Sequence, residues 1–315
     1  MKIAFCADPL DGFKIYKDTT YAMMVEAARR GHEVHAFEQR DMAIEAGRVV
    51  ANIARISITD TTGTQSAWYE AAAPVATPLQ KIDAVVMRKD PPFDMEYVYA
   101  THLLELAQQQ GARVFNRPEA VRSHNEKLAI TQFPALIAPT LVTSDAVRIR
   151  AFHAEHHDII LKPLDGMGGA GVFRVRDDGM NLGAIIEGLT VNGRTTIMVQ
   201  RYIPDIVKGD KRILLIGGTV VPFCLARIPQ GGEVRGNLAA GGLGVAQPLS
   251  DSDHRIAATL APVLSVRGLL LVGLDVIGEN LTEINVTSPT CFQEITQQTG
   301  FDVPGLFVNA LEKAV

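Results

Sequence analysis

Three cysteines, one tryptophan and an aromatic share of 6% are few for a chain of 315 residues. The cysteines (Cys6, Cys224, Cys291) are odd in number and far apart, which excludes a disulfide framework and suits a reducing cytoplasm. No uninterrupted apolar stretch approaches 18 residues, so no membrane-spanning helix is expected. The opening run Met1 to Cys6 meets Asp8 too soon to serve as a signal peptide. A basic excess is missing as well: 30 Lys and Arg stand against 35 Asp and Glu, a formal charge of -5, which argues against a nucleic-acid binder. Internal repeats and low-complexity linkers are absent. What is present is an ordinary globular composition, 47% hydrophobic and 21% charged, on a chain long enough for two or three domains.

Residues 2–6 form an apolar run closed by Asp8-Pro9, which predicts a buried strand ending in a loop. Asp18 precedes Tyr21, Met24, Val25 and Ala28, a helical stripe with Asp18 as N-cap and Gly31 as stop. A strand over 33–37 completes a strand–helix–strand unit of parallel α/β type. Residues 48–80 are weakly patterned and read as irregular. A buried strand over 84–87, a loop over 88–94, a helix over 95–110 and a short strand over 113–115 complete an open α/β domain. Beyond it the pattern predicts a helix over 125–131 and a strand over 141–143. Another helix follows over 145–156, then strands at 159–163, 172–175 and 197–200. The strands 211–216 and 219–227 flank Gly217-Gly218, a two-residue hairpin signal. A helix over 253–267 and strands over 271–277 and 281–285 follow. The expected class is α/β followed by α+β, with domains at 1–122 and 123–315, the second divided into subdomains 123–202 and 203–315.

Four segments carry chemistry. In Lys162-Pro163-Leu164-Asp165-Gly166-Met167-Gly168-Gly169 the lysine precedes the glycines, the reverse of a Walker A loop. Strand flanks both sides of the turn, a layout suited to a flap whose N–H groups approach phosphate. In Leu281-Thr282-Glu283-Ile284-Asn285, Glu283 and Asn285 share a strand face beside Asp275, an oxygen set that suits Mg²⁺ held jointly with nucleotide phosphates. Arg212 and Arg227, at strand ends by the hairpin, suit phosphate and developing acyl-phosphate charge. The glycine-dense loop 228–244, with Arg235 and Asn237, is long enough to be a lid or binding loop. The bland readings are an ordinary glycine hairpin, a polar strand end, surface arginines and a surface excursion. His153, Glu155, His156 and His157 lack the order of a zinc helix and read as a solvated helix end, and Cys291 reads as a packed thiol.

Taken in order, these runs resemble the bacterial glutathione synthetases. The resemblance lies in Met87-Arg88-Lys89-Asp90-Pro91-Pro92-Phe93-Asp94, Lys162 to Gly169 and Asp210-Lys211-Arg212. It continues in Cys224 to Glu233 and in Leu281 to Cys291, and it covers essentially the whole chain. It implies an ATP-grasp fold behind an N-terminal α/β domain, and the ATP-dependent ligation of γ-glutamylcysteine and glycine through an acyl phosphate. It further implies that Lys127, Lys162, Gly166, Gly168, Gly169, Gln200, Tyr202 and Ile203 contact ATP. Asp275, Glu283 and Asn285 would hold Mg²⁺ or Mn²⁺, and Arg212, Arg227 and Arg235 would serve catalysis. A homotetramer in the cytoplasm, with no nucleic-acid or membrane partner, completes the expectation. Leu243, where relatives often carry Arg, and Arg201, where Asn is familiar, depart from the pattern. Another ATP-grasp amide ligase, or a synapsin-like nucleotide binder without turnover, are the competing readings.

Overall fold

The computed structural model describes the chain except Gln65, Ser66, Met167, 232–235, Asn237, Ala239 and Ala240. The first part contains β1 (Lys2–Cys6), α1 (Thr19–Arg29), β2 (Glu33–Phe37), β3 (Met42–Glu45) and β4 (Arg48–Ile58). It continues through β5 (Tyr69–Ala71), β6 (Val75–Pro78), β7 (Ala84–Met87), α2 (Met95–Gln109) and β8 (Val114–Phe115). These strands make one sheet in the order β3-β4-β2-β1-β7-β8, with β5 and β6 also paired to β4. The strands β2, β1, β7 and β8 are parallel. Apolar runs fill these central strands because both faces are covered, and Ile3, Ala4, Phe5 and Cys6 are wholly buried. Asp18 caps α1 by accepting from the Tyr21 N–H at 2.8 Å, a contact worth about 1 kcal/mol.

One expectation fails here. Residues 48–80 are not irregular: they carry the eleven-residue β4, two short strands and a turn over Leu79–Lys81. The reason is visible along β4, where Val49, Ala51 and Ile53 are buried on one face and Ile56, with Ala54 and Ile58 beside it, packs on the other. The strand alternates on each side of that change, and its inward residues include a small alanine.

The chain then builds α3 (Pro118–Ser123), β9 (Thr140–Thr143), α4 (Ala146–His156), β10 (Ile159–Pro163), β11 (Phe173–Val175), α5 (Leu182–Thr190) and β12 (Ile197–Arg201). The helix expected over 125–131 is instead a 3-10 turn over Leu128–Gln132 that follows the short α3. Four antiparallel strands, in the order β11-β10-β12-β9, share a small core of their own, with Ile149, Leu161, Leu182, Ile186 and Val199 at its centre.

The last part contains β13 (Asp210–Ile216), β14 (Thr219–Ile228), β15 (Leu243–Pro248), α6 (Asp251–Val266), β16 (Leu271–Ile277), β17 (Asn280–Asn285), α7 (Phe292–Thr299) and α8 (Val303–Ala314). Its sheet is antiparallel in the order β15-β14-β13-β16-β17. The hairpin between β13 and β14 turns at Gly217 and Gly218, both at positive φ (57° and 78°), as a two-residue turn of this hand requires. This sheet shares its core with the N-terminal part: Ala4, Val85 and Leu104 belong to the same buried cluster as Ile213, Leu274 and Leu260. Asn116 ties the two parts together. Its amide donates to the Leu271 and Val286 carbonyls at 2.7 and 2.8 Å and accepts from the Leu271 N–H at 2.9 Å. Among the described residues, no helix is long and apolar enough to cross a membrane.

Candidate active site

The register of the five-stranded sheet assembles one face of the site. Arg212 stands opposite Asp275, Asp210 opposite Arg227, Asp275 opposite Glu283, and Gly273 opposite Asn285. Directly paired residues point to one side of a sheet, so these side chains converge. Arg212 lies across β16, with Nε donating to Asp275 Oδ1 at 2.6 Å and the guanidinium tip to Oδ2 at 3.2 Å. Gly273 leaves room for it: a Cβ there would sit 2.9 Å from Arg212 Cδ. Arg227, 3% exposed, places one nitrogen 3.0 Å from Asp275 Oδ2 and 2.5 Å from Asp210 Oδ2. Burial would push the Asp275 carboxyl up, but the guanidiniums of Arg212 and Arg227 outweigh it and hold it well below the usual carboxylate range. Asp210 is pushed up to about 6, by burial against the pull of Arg227. It shares that guanidinium with Asp275, and its Oδ1 is buried without a partner.

The four-stranded sheet supplies the facing wall. Lys162 on β10 is 7% exposed; burial lowers its pKa, with the Glu283 charge opposing. The turn after it uses positive φ at Gly168, Gly169 and Gly171 (65°, 80° and 71°), a backbone that glycine adopts without strain. Lys127 joins the walls, donating to the Gly166 carbonyl and lying 3.2 Å from Glu283 Oε1. At the hinge, Gln200 donates to Thr140 Oγ1 at 2.9 Å, and the Arg174 guanidinium stacks 3.5 Å from the centre of the Tyr202 ring while bonding Asp158.

One cleft is lined by Lys127, Lys162, Gly166, Gly168, Gly169, Gln200, Tyr202 and Ile203, together with Asp275 and Glu283. Every residue expected to contact nucleotide therefore lines a single space. A second cleft opens toward the N-terminal part and shares Gly166, Gly168, Asp275 and Glu283 with the first. Arg212 and Asn285 line this second space. Arg227 lines neither and lies behind the wall, against Asp210 and Asp275. Arg235 and Asn237 fall outside the described residues. Sequence reasoning missed Asp210, although its spacing of two from Arg212 on one strand was a usable signal. It also missed the apolar walls Ile160, Val172, Ile206 and Ile277, and Thr282, which a shift of register between Asp275 and Val276 turns inward.

Among the described residues, no three His, Cys, Asp or Glu side chains form a ready metal cluster. His153 bonds the Arg176 carbonyl and His157 bonds Asp177, both at 2.7 Å on the surface, as a solvated helix end does. The oxygen donors Asp275, Glu283 and Asn285 lie together, and the Asn285 amide nitrogen is turned to the Gly273 carbonyl at 3.2 Å. With the unpartnered Asp210 Oδ1 beside them, this donor set fits a hard cation that takes its remaining ligands from phosphate.

Comparison with known proteins identifies the family. The family model for the prokaryotic glutathione synthetase N-terminal domain matches residues 1–122, and that for the prokaryotic glutathione synthetase ATP-grasp domain matches 126–300. A glutathione synthetase of Ralstonia nicotianae is 63% identical over 314 residues, covering 100% of this chain and 96% of the relative. One from Bordetella parapertussis is 61% identical, covering 100% and 99%. The crystal structure of the D-cycloserine synthetase DcsG superposes with a TM-score of 0.67 at 16% identity, covering 99% of this chain and 100% of that one, a likeness of fold alone. With its fold an ATP-grasp behind a separate N-terminal domain, the chain belongs to the prokaryotic glutathione synthetases.

Proposed function

We propose that the two joined clefts carry the ATP-dependent ligation of γ-glutamylcysteine to glycine, with the chemistry at their shared edge. The supporting observation is that edge itself: Asp275, Glu283 and the glycine turn belong to both spaces. ATP fills the first cleft, its adenine between Ile160, Val172, Ile206 and Ile277, with Gln200, Tyr202 and Ile203 at the hinge. Lys127 and Lys162 meet its phosphates, and Gly166, Gly168 and Gly169 let backbone N–H groups approach them. A divalent cation, Mg²⁺ or Mn²⁺, held by Asp275, Glu283 and Asn285, would neutralise phosphate charge.

A carboxylate resists attack by an amine, so the cysteinyl carboxylate first takes the γ-phosphoryl group of ATP and ADP is released. The glycine amine then attacks the acyl carbon, the C–O bond to phosphate breaks, and the amine proton is lost. Arg212 stands where it can steady the charge on the transferring group, while Arg227 acts through Asp275 and Asp210 by fixing their positions. Arg235 and the loop 228–244 complete this assignment as a closing segment over the intermediate. The division at 122/123 and 202/203, a homotetrameric assembly and a cytoplasmic setting belong to the same proposal.

The test is a coupled assay with purified protein. One phosphate and one ADP should appear per glutathione, and only when ATP, γ-glutamylcysteine, glycine and Mg²⁺ are all present. Faster turnover with a different dipeptide, or nucleotide binding without phosphate release, would overturn the reading.

A further inference from the structure

Among the described residues, six buried cations mark the interior: Arg88, Lys127, Lys162, Lys211, Arg212 and Arg227. Four of them face carboxylates, Lys127 at Glu283, Lys211 at Asp253, Arg212 at Asp275 and Arg227 at Asp210 and Asp275. Lys162 and Arg88 have no carboxylate within ion-pair distance among the described residues, and both line clefts. Lys162 faces the space that takes triphosphate. Arg88, 4% exposed, lines the second cleft; its Nε donates to Thr20 Oγ1 at 3.0 Å and one terminal nitrogen is buried with no partner. A guanidinium left so is costly unless an anion completes it.

The nearby carboxylates are engaged elsewhere. Asp8 holds Lys89 at 2.8 Å and the Asp90 N–H at 2.9 Å. Asp18 caps α1, and Glu126 accepts from the Val286 and Thr287 N–H groups and the Thr287 hydroxyl. Asp90 and Glu294 are the exceptions: both line the same cleft, Asp90 has no ion pair among the described residues, and the Glu294 Oε2 is buried without a partner among them. Among the described residues, the cleft wall therefore offers a buried unsatisfied cation and a buried unsatisfied carboxylate oxygen, the complement of an α-amino acid head with its ammonium and carboxylate intact. Glycine does not suit this pair, since its amine must be free to attack. The glutamyl end of the dipeptide does, because both its charged groups are spectators.

We propose that Arg88 binds the free α-carboxylate at the glutamyl end of γ-glutamylcysteine, with Glu294 facing its α-ammonium, so that this pair selects a γ-linked glutamyl substrate. The proposal rests on the function proposed above and deepens it. It also gives a chemical reason for a γ-linkage, which alone leaves both groups of the glutamyl head free.

The experiment compares γ-glutamylcysteine with its analogue bearing an α-carboxamide at the glutamyl end, in the wild-type enzyme and in Arg88→Met. In the wild type the analogue should lose roughly tenfold to a hundredfold in kcat/KM, the scale of a charge-assisted bond. In Arg88→Met the acid and the amide should become equal to within about twofold, with KM for γ-glutamylcysteine raised and KM for ATP and glycine unchanged. Because the ratio is read within each protein, a general loss of stability does not mimic it. Arg88→Lys, which keeps the charge, should retain part of the discrimination and serves if Arg88→Met does not fold. A full acid-to-amide preference in the variants, or a rise in glycine KM alone, overturns the proposal. Failure of the wild type to make glutathione at all would instead overturn the underlying function.

Discussion

The two sheets that face each other across the nucleotide cleft are held together in different ways. The four-stranded sheet β9–β12 has a small core of its own, and its buried Lys162 has no carboxylate within ion-pair distance among the described residues. The five-stranded sheet β13–β17 merges with the core of the N-terminal part, and its charged residues are locked into one ion network around Asp275. One wall thus buries one face in a core of its own, and the other is continuous with the N-terminal core. Placing unpaired charge on the first and paired charge on the second puts the largest electrostatic change where ATP arrives.

The widest gap between the two walls should appear when each loses one charge. Asp275→Ala strands the buried Arg212 guanidinium, leaves Arg227 with Asp210 alone, and should lower stability by about 3–5 kcal/mol as well as abolishing turnover. Lys162→Met removes an unpaired buried cation and should cut kcat/KM by roughly a hundredfold to a thousandfold with the melting temperature unchanged or raised. Thermal melts and initial rates on both variants read this directly; equal melting shifts would erase the distinction.

Next in size, Leu161→Ala and Leu274→Ala empty comparable buried sites, each at about 2–5 kcal/mol. The first should speed amide exchange within 140–201 and raise KM for ATP while the remainder stays protected. The second should loosen both the five-stranded sheet and the N-terminal sheet. Exchange that spreads identically in the two variants would mean that the small core is not separate. A smaller effect is expected from Arg174→Ala, which loses the Asp158 bonds and the stack on Tyr202: a KM for ATP raised a few-fold, with kcat and KM for glycine unchanged.

The smallest is a pH effect at the join between the parts. His124 donates from Nδ1 to the Ala120 carbonyl (2.8 Å) and accepts at Nε2 from Arg267 (2.7 Å), which requires the neutral ring. Burial lowers its pKa from 6.5, the backbone bond opposing and the Arg267 charge adding to the fall. The unfolded chain then binds the extra proton first, so this contribution is complete above about 6.5 and fades as pH drops toward the depressed folded value. Melting curves of wild type and His124→Gln should converge on acidification; parallel curves would show that the ring does not sense the change.

Much of this was legible in the sequence, for identifiable reasons. Buried parallel strands announce themselves as apolar runs, and Asp18 and Gly217-Gly218 are local signals that need no tertiary context. The alternation of two along a strand placed Glu283 and Asn285 on one face, and the register with Asp275 followed from antiparallel pairing. What stayed hidden depends on contacts between distant segments. The strand β4 changes its buried face between Ile53 and Ile56, so its alternation is broken. The helix α5 contains Gly183 and Gly188, and α7 and α8 lie after the last motif. No local pattern announces that Arg212 and Arg227 both turn to Asp275, that Thr282 faces the cleft through a register shift, or that Arg88 lacks a counterion.

The asparagine at the junction has a consequence for exchanging modules between relatives. One amide group at position 116 satisfies backbone atoms of β16 and of the segment after β17, so the N-terminal unit docks through a connection with a fixed address. An N-terminal unit grafted from a relative would have to present the same amide at the same place, whatever specificity it carried. An aspartate or leucine there would leave carbonyl oxygens dry and unmet, and the chimera would lose the alignment of its two substrate walls before any residue touching substrate had been altered.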